Sequence, residues 1–294
     1  SAVADDALCG QSLHHFRVLR LLGRGGMGSV YEAHDLSLDR RVALKVVEIE
    51  SVTSPRTQRL VAEARAQAKL SHANVIPIYY IGVQDGRCFF AMERVDGHDL
   101  DGFLSRTERL PWERARELML GVAKALEAAS AQGFVHRDIK PSNLMLTRAG
   151  EIKVGDFGLA QPIVRSRDEA MHGFAGTPLY ASPEQFTGGE LDERSDMYSL
   201  GVSFYHLLSG APPFAGTNLV ELARQHTEVA AEPLRSRCPE VPERFAALLD
   251  RLLAKSPHHR FATWAELITA LEAARPERKR PAGVLVRGIA RGLD

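Results

Sequence analysis

The chain has 294 residues, an apolar share of 45% and equal totals of Lys plus Arg and Asp plus Glu, 37 each. These values describe an ordinary globular protein of one large or two smaller domains, and the balanced charge excludes any global attraction to nucleic acid or to an anionic membrane. Three well-separated cysteines, Cys9, Cys88 and Cys238, argue against a disulfide framework and for a reducing, cytosolic setting, and no apolar run reaches the roughly 18 to 20 residues of a spanning helix.

The chain opens Ser1-Ala2 without an initiator Met, which raises the expectation of a piece cut from something longer. Residues 1–15 show no clear period and are expected to be an N-terminal extension. β-Branched and aromatic enrichment then predicts strands at 16–22, 30–33 and 41–47. Between the first two lies Gly23-Arg24-Gly25-Gly26-Met27-Gly28. That run suits either a hairpin turn or a loop whose bare backbone N–H groups approach phosphate oxygens. A dinucleotide-binding fingerprint is excluded, because its glycines must open a helix and here a strand follows. Lys45 falls mid-strand among apolar neighbours, so its ammonium must either reach water or find an anion.

Ser54-Pro55 reads as a helix start, with Leu60, Val61, Ala64 and Ala68 at helical spacing and Glu63 as a candidate partner for Lys45 or simply a solvated charge. Strands at 76–83 and 88–92 flank Asp85-Gly86, a dipeptide suited to a tight hairpin. Residues 16–95 are therefore expected to form a small, mostly antiparallel sheet with one helix.

From residue 96 to 274 the pattern is helical. Trp112, Ala115, Leu118, Val122, Ala125 and Ala129 repeat at three or four and end at Gly133. Residues 197–208 are apolar nearly all round, as in a buried helix, and stop before Gly210, Pro212 and Pro213. Further helices are predicted at 219–228, 243–255 and 264–273, the last opened by a Thr263/Glu266 capping box.

The chemistry concentrates in His136-Arg137-Asp138-Ile139-Lys140-Pro141-Ser142-Asn143 and in Asp156-Phe157-Gly158. A proton acceptor, a fixed cation and two magnesium ligands within a short stretch of loop are what phosphoryl transfer needs: positioning of an in-line attack and neutralisation of phosphate charge. Pro141 makes the first segment a loop, so Asp138 and Asn143 can converge. Asp156 before Phe157-Gly158 would, alone, read as a turn.

These elements, in this order, together with Gly176-Thr177-Pro178-Leu179-Tyr180-Ala181-Ser182-Pro183-Glu184, resemble the catalytic domain of eukaryotic-type Ser/Thr protein kinases over about 16–274. The wording Gly25-Gly26-Met27-Gly28-Ser29-Val30-Tyr31 and Ser182-Pro183-Glu184-Gln185 is most similar to bacterial members. The resemblance implies an α+β, two-lobed fold with ATP and magnesium, or manganese, in the cleft between the lobes. It implies that Lys45 holds the α and β phosphates and pairs with Glu63, that Asn143 and Asp156 hold the metal, that Asp138 accepts the substrate proton, and that Lys140 meets the γ-phosphate. Lys140 and Thr177 resemble the Ser/Thr rather than the tyrosine group. Gly23, Gly25 and Gly28 would cover the phosphates; Leu22, Val30, Ala43 and Met145 would sandwich the base; Met92, Glu93 and Val95 would form the segment joining the lobes, and Asp99 would meet the ribose. For these apolar positions, ordinary core packing is the alternative. Glu184 and Arg260 would form a structural ion pair and Asp196 would brace the catalytic loop. The expected partner is a protein bearing Ser or Thr, with no nucleic acid; oligomeric state is left open. Rival readings are a pseudokinase-like nucleotide-binding scaffold and a small-molecule kinase.

The chain also departs from the family pattern. Arg137 usually pairs with a phosphate on the loop that follows, yet between Asp156 and Thr177 only Ser166 carries a hydroxyl, and Asp168 and Glu169 are expected to replace phosphate in part. Gln67 takes a position usually apolar and would face Phe157; Gly155 is permissive before Asp156. Eleven histidines show no zinc-binding spacing. The tail at 275–294, with Arg278, Lys279, Arg280, Arg287 and Arg291, is either solvated or a basic stretch preceding a membrane anchor, in which case the domain would face the cytosol.

Overall fold

In the computed structural model, residues 7–25, 28–106, 109–156 and 178–275 are described, the side chains of Glu63 and Ala66 excepted. Readings at Gly26, Met27, Phe157, Gly158, Ser166, Asp168, Glu169, Thr177 and the basic tail lie outside these residues. The first lobe is a six-stranded antiparallel sheet in the order β1-β2-β3-β4-β6-β5. Its strands are β1 (Ser12–Leu13), β2 (Phe16–Gly25), β3 (Gly28–Asp35), β4 (Arg40–Glu48), β5 (Ile78–Gln84) and β6 (Arg87–Glu93). Strand period 2 separates two apolar layers: Phe89 and Ala91 join Phe16, Val18, Tyr31 and Leu44 on one face, while Cys88, Phe90 and Met92 join Leu60, Ala64 and Ile78 on the other. Asp85 and Gly86 both take positive φ, 49° and 71°, as a two-residue hairpin with strand-matched twist requires.

Helix α1 (Pro55–Gln67) starts where expected, with Ser54 Oγ accepting from Thr57 N at 3.2 Å. Its buried stripe is Thr57, Leu60, Ala64 and Gln67, and Ala68 is exposed. The apolar spacing 60/61/64/68 thus found Leu60 and Ala64, with Val61 packed beside them, but the seat follows a 3-4-3 step that takes in the Gln67 amide in place of Ala68. Residues 7–15 are also attached rather than separate: β1 pairs with β2, and Leu8 and Leu13 are buried on the sheet.

After β6, the chain forms β7 (Gly97–Asp99) and the short helix α2 (Leu100–Leu104), then α3 (Trp112–Ser130). β7 pairs with β8 (Leu144–Thr147), which pairs with β9 (Ile152–Val154), so a three-stranded sheet floors the junction between lobes. The rest is helical: α4 (Pro183–Thr187), α5 (Glu193–Ser209), α6 (Leu219–Glu228), α7 (Leu234–Arg237), α8 (Glu243–Leu252) and α9 (Trp264–Ala273). Helix α5 is the expected pillar, buried from Ser195 to Phe204 without interruption and stopped by Gly210 at φ 78°. Helix α8 ends at Leu252, three residues before the predicted boundary. Thr263 caps α9 as predicted, but Glu266 reaches back to Ala262 N rather than to the cap residue itself. Cys9, Cys88 and Cys238 are free thiols. Among the described residues no helix is long and apolar enough to cross a membrane.

Candidate active site

A cleft of about 580 Å³ opens where β2, β3 and β4 overhang the β7–β8–β9 sheet. Leu22, Val30 and Ala43 line its roof, Met145 its floor, and Met92, Glu93 and Val95 its back. Gly23 and Asp99 also line it. The β6 strand holds Met92 and Glu93 in register with β4, whereas Val95 lies beyond the strand, and among the described residues its backbone N–H has no backbone partner. Asp99 caps α2, its Oδ1 accepting from Gly102 N at 2.6 Å, so that oxygen is committed to the cap. Gly25 and Gly28 are paired where the β2–β3 hairpin turns, and neither is among the residues lining the cleft.

Asn143 and Asp156 line the polar end of the cleft. Lys45, held mid-β4 between Val30 and Phe90 of the neighbouring strands, is 5% exposed and its Nζ lies 2.9 Å from Asp156 Oδ1. The ammonium therefore finds an anion rather than water. Glu63, its other expected partner, sits on α1 with its side chain outside the description.

Opposite, the loop 136–143 folds on itself. Asn143 Nδ2 donates to Asp138 O at 2.7 Å and to Asp138 Oδ2 at 3.0 Å, and Lys140 Nζ meets the same Oδ2 at 2.8 Å. Both partners share one carboxylate oxygen, which among the described residues leaves Oδ1 of Asp138 without a partner. The loop is pinned from below by Asp196 of α5, 3% exposed, which accepts from His136 N at 2.6 Å and from Arg137 N at 2.7 Å. Burial pushes the Asp196 carboxyl upward, opposed by the His136 charge and those two N–H donors. Arg137 itself takes φ 66°, a conformation that this bracing holds, and its Nε is buried without a hydrogen-bond partner among the described residues.

Gly155 is the bridge between the two groups: its N–H donates to Asn143 O at 3.0 Å and its carbonyl accepts from His136 Nε2 at 2.9 Å. The permissive backbone expected there is tied at both ends. Glu184 and Arg260 form the expected buried pair, bidentate at 2.7 and 2.9 Å.

The donor set fits a hard cation. Asn143 commits its amide nitrogen and keeps Oδ1, and Lys45 engages only one oxygen of Asp156; two oxygen ligands plus phosphate suit magnesium, which seldom demands an all-protein cage. Sequence reasoning did not single out Arg20, Ile76, Arg94 or Arg148, which also line the cleft. A signal existed for one of them, since Arg20 stands opposite an acidic residue, Glu32, across the β2–β3 ladder.

Comparison with known proteins matches residues 16–270 to the protein kinase domain family. The chain is 36% identical over 272 residues to the serine/threonine-protein kinase PknA of Mycobacterium tuberculosis, covering 90% of this chain and 62% of that protein. It is 33% identical over 270 residues to the serine/threonine-protein kinase PrkC of Bacillus subtilis, covering 90% of this chain and 42% of the relative. A probable serine/threonine-protein kinase of Streptomyces coelicolor is 38% identical over 260 residues, 86% of this chain and 39% of its own length. The chain thus spans less than two thirds of each of these relatives. With a family match over most of its length, and with the sheet lobe, helical lobe and intervening cleft in place, this chain belongs to the protein kinase domain family.

Proposed function

We propose that this chain transfers the γ-phosphoryl group of ATP to Ser or Thr hydroxyls of proteins, on the cytosolic side where ATP is available. The observation that carries the reading is that Asn143 and Asp156 line one end of the cleft, Asn143 bonded to the Asp138 carboxylate that Lys140 also meets, and Asp156 paired with Lys45. The names of the relatives support the Ser/Thr class.

In this reading the adenine lies between Val30 and Ala43 above and Met145 below, its edge meeting backbone groups of Glu93 and Val95. Lys45 holds the α and β phosphates once its ammonium leaves Asp156. Asn143 and Asp156 hold magnesium, with manganese as the alternative ion; when bound, the ion neutralises phosphate charge. Asp138 Oδ1 receives the hydroxyl proton as the acceptor oxygen bonds to the γ-phosphorus and the bond to the ADP oxygen breaks. Lys140, beside Asp138, steadies charge on the transferring group. Glu63, as the partner of Lys45, and Thr177, which with Lys140 marks the Ser/Thr group, complete the proposed set; the Glu63 side chain and Thr177 lie outside the described residues.

The test is mass-spectrometric detection of autophosphorylation and of a generic Ser/Thr peptide product with ATP and magnesium. Asp138→Asn is expected to lower turnover by about 100 to 10,000-fold, since positioning and charge stabilisation persist. Full turnover by that variant would overturn the assignment.

A further inference from the structure

One charged cluster at the mouth of the cleft is not used by the chemistry above. Glu32 of β3 is 7% exposed, and a carboxylate so buried must be compensated. Its Oε2 accepts from Arg20 of β2, with Nε at 2.8 Å and Nη2 at 2.7 Å. Its Oε1 faces Arg94 Nε at 3.2 Å and Arg41 Nη1 of β4 at 3.5 Å. Three guanidinium groups from three parts of the chain thus meet on one carboxylate, and two of them, Arg20 and Arg94, line the cleft.

The cluster's position gives it a task. Arg20 and Glu32 belong to two of the three strands that form the cleft roof, and β2 carries register irregularities on both sides of the Arg20–Leu21 step, which re-aim side chains there. Arg94 lies in the segment joining the lobes, between Glu93 and Val95. The Glu32 carboxylate therefore fastens roof to back wall where Leu22, Val30 and Val95 enclose the apolar part of the cleft.

We infer that Glu32 is a positioning residue that, through Arg94 and Arg20, sets the height and register of the nucleobase slot and so controls affinity for the base of the nucleotide rather than the phosphoryl-transfer step. The inference rests on the reading of the cleft as an ATP site. It makes Arg94 the coupling residue, because Arg94 alone among the three belongs to the wall against which the base edge lies. Its side chain is 32% exposed, and without it Arg20 and Arg41 still face the Glu32 carboxylate.

The experiment measures KM for ATP, KM for GTP, kcat at saturating nucleotide and thermal midpoint for wild type, Glu32→Gln, Arg94→Ala and the double variant. The expected result is a KM for ATP raised about three- to tenfold in each single variant, with kcat and thermal midpoint of Arg94→Ala unchanged, a smaller ATP-over-GTP preference, and a double variant no worse than Glu32→Gln alone. Unchanged KM in Arg94→Ala, or additive losses in the double variant, would overturn the inference. So would a fall in kcat and thermal midpoint together with KM, which marks a merely structural cluster. Absence of any nucleotide binding or turnover in wild type would instead sink the underlying ATP reading.

Discussion

Gln67 shows how a single side chain can work against the element that carries it. It is 3% exposed, at the seat of α1, and its Oε1 is buried with no hydrogen-bond partner among the described residues. An orphaned amide oxygen costs about 1 to 3 kcal/mol, whereas an apolar group of similar volume would cost nothing there. Gln67→Leu is therefore expected to raise the thermal midpoint, by about 2 to 4 °C for each kcal/mol recovered. Because α1 also carries Glu63, a firmer seat is expected to raise activity as well. Calorimetric melting together with peptide phosphorylation checks both, and a lower midpoint in the variant would show that the amide is satisfied in solution. Gln67 was legible as an oddity in the sequence. Its burial was legible only through the resemblance, which places it where an apolar side chain usually sits.

At the scale of elements, the β2–β3 hairpin depends on glycine at a specific place. Gly28 takes φ 129°, and a Cβ there would run into the backbone carbonyl of Val46 on β4. Neither the dihedral nor the close approach tolerates a side chain. Gly28→Ala is expected to pry the root of β3 from β4, costing about 1 to 3 kcal/mol and weakening nucleotide binding. Melting and titration with a non-hydrolysable ATP analogue would check it, and an unaltered midpoint would refute it. The glycine run itself announced a special loop, but its two uses, a turn and a phosphate cradle, could not be separated from spelling alone. The strand after it settled against a dinucleotide motif. Short pieces such as β1, β7 and β9 escaped notice because two or three residues are too few to show a period, and they exist only through pairing with partners already in place.

For the molecule as a whole, the buried Arg260–Glu184 pair joins α4 to the segment after α8, and Arg260 also donates to the carbonyls of Arg194, Ala254 and Lys255. Burial opposes ionisation of Glu184, but the hydrogen bonds and charge of Arg260 and the Ser195 hydroxyl hold it below its ordinary value of 4.5. A carboxylate whose folded pKa is depressed stabilises the fold above its unfolded pKa and loses that contribution as pH falls through the folded value. The helical lobe should therefore weaken progressively below about pH 4.5, and Arg260→Met should cost about 3 to 5 kcal/mol and remove this component of the acid transition. Denaturant melts at pH 7 and pH 4 test both statements; equal losses at the two pH values would contradict the second. The two-lobed plan was readable because strand period 2 gives way to helical period after residue 96, and because the loop motifs keep their order. The Glu32 cluster was not readable, since its arginines are scattered over residues 20, 41 and 94 and meet only when the sheet and the connecting segment close together.

The contact between Lys45 and Asp156 also carries a thermodynamic implication. The two groups serve as each other's counter-ion. An anion arriving alone must take the ammonium and strand a carboxylate; a cation arriving alone must take the carboxylate and strand an ammonium. Each visitor supplies the partner the other displaces, so the two occupancies reinforce one another by the same factor in whichever order they arrive.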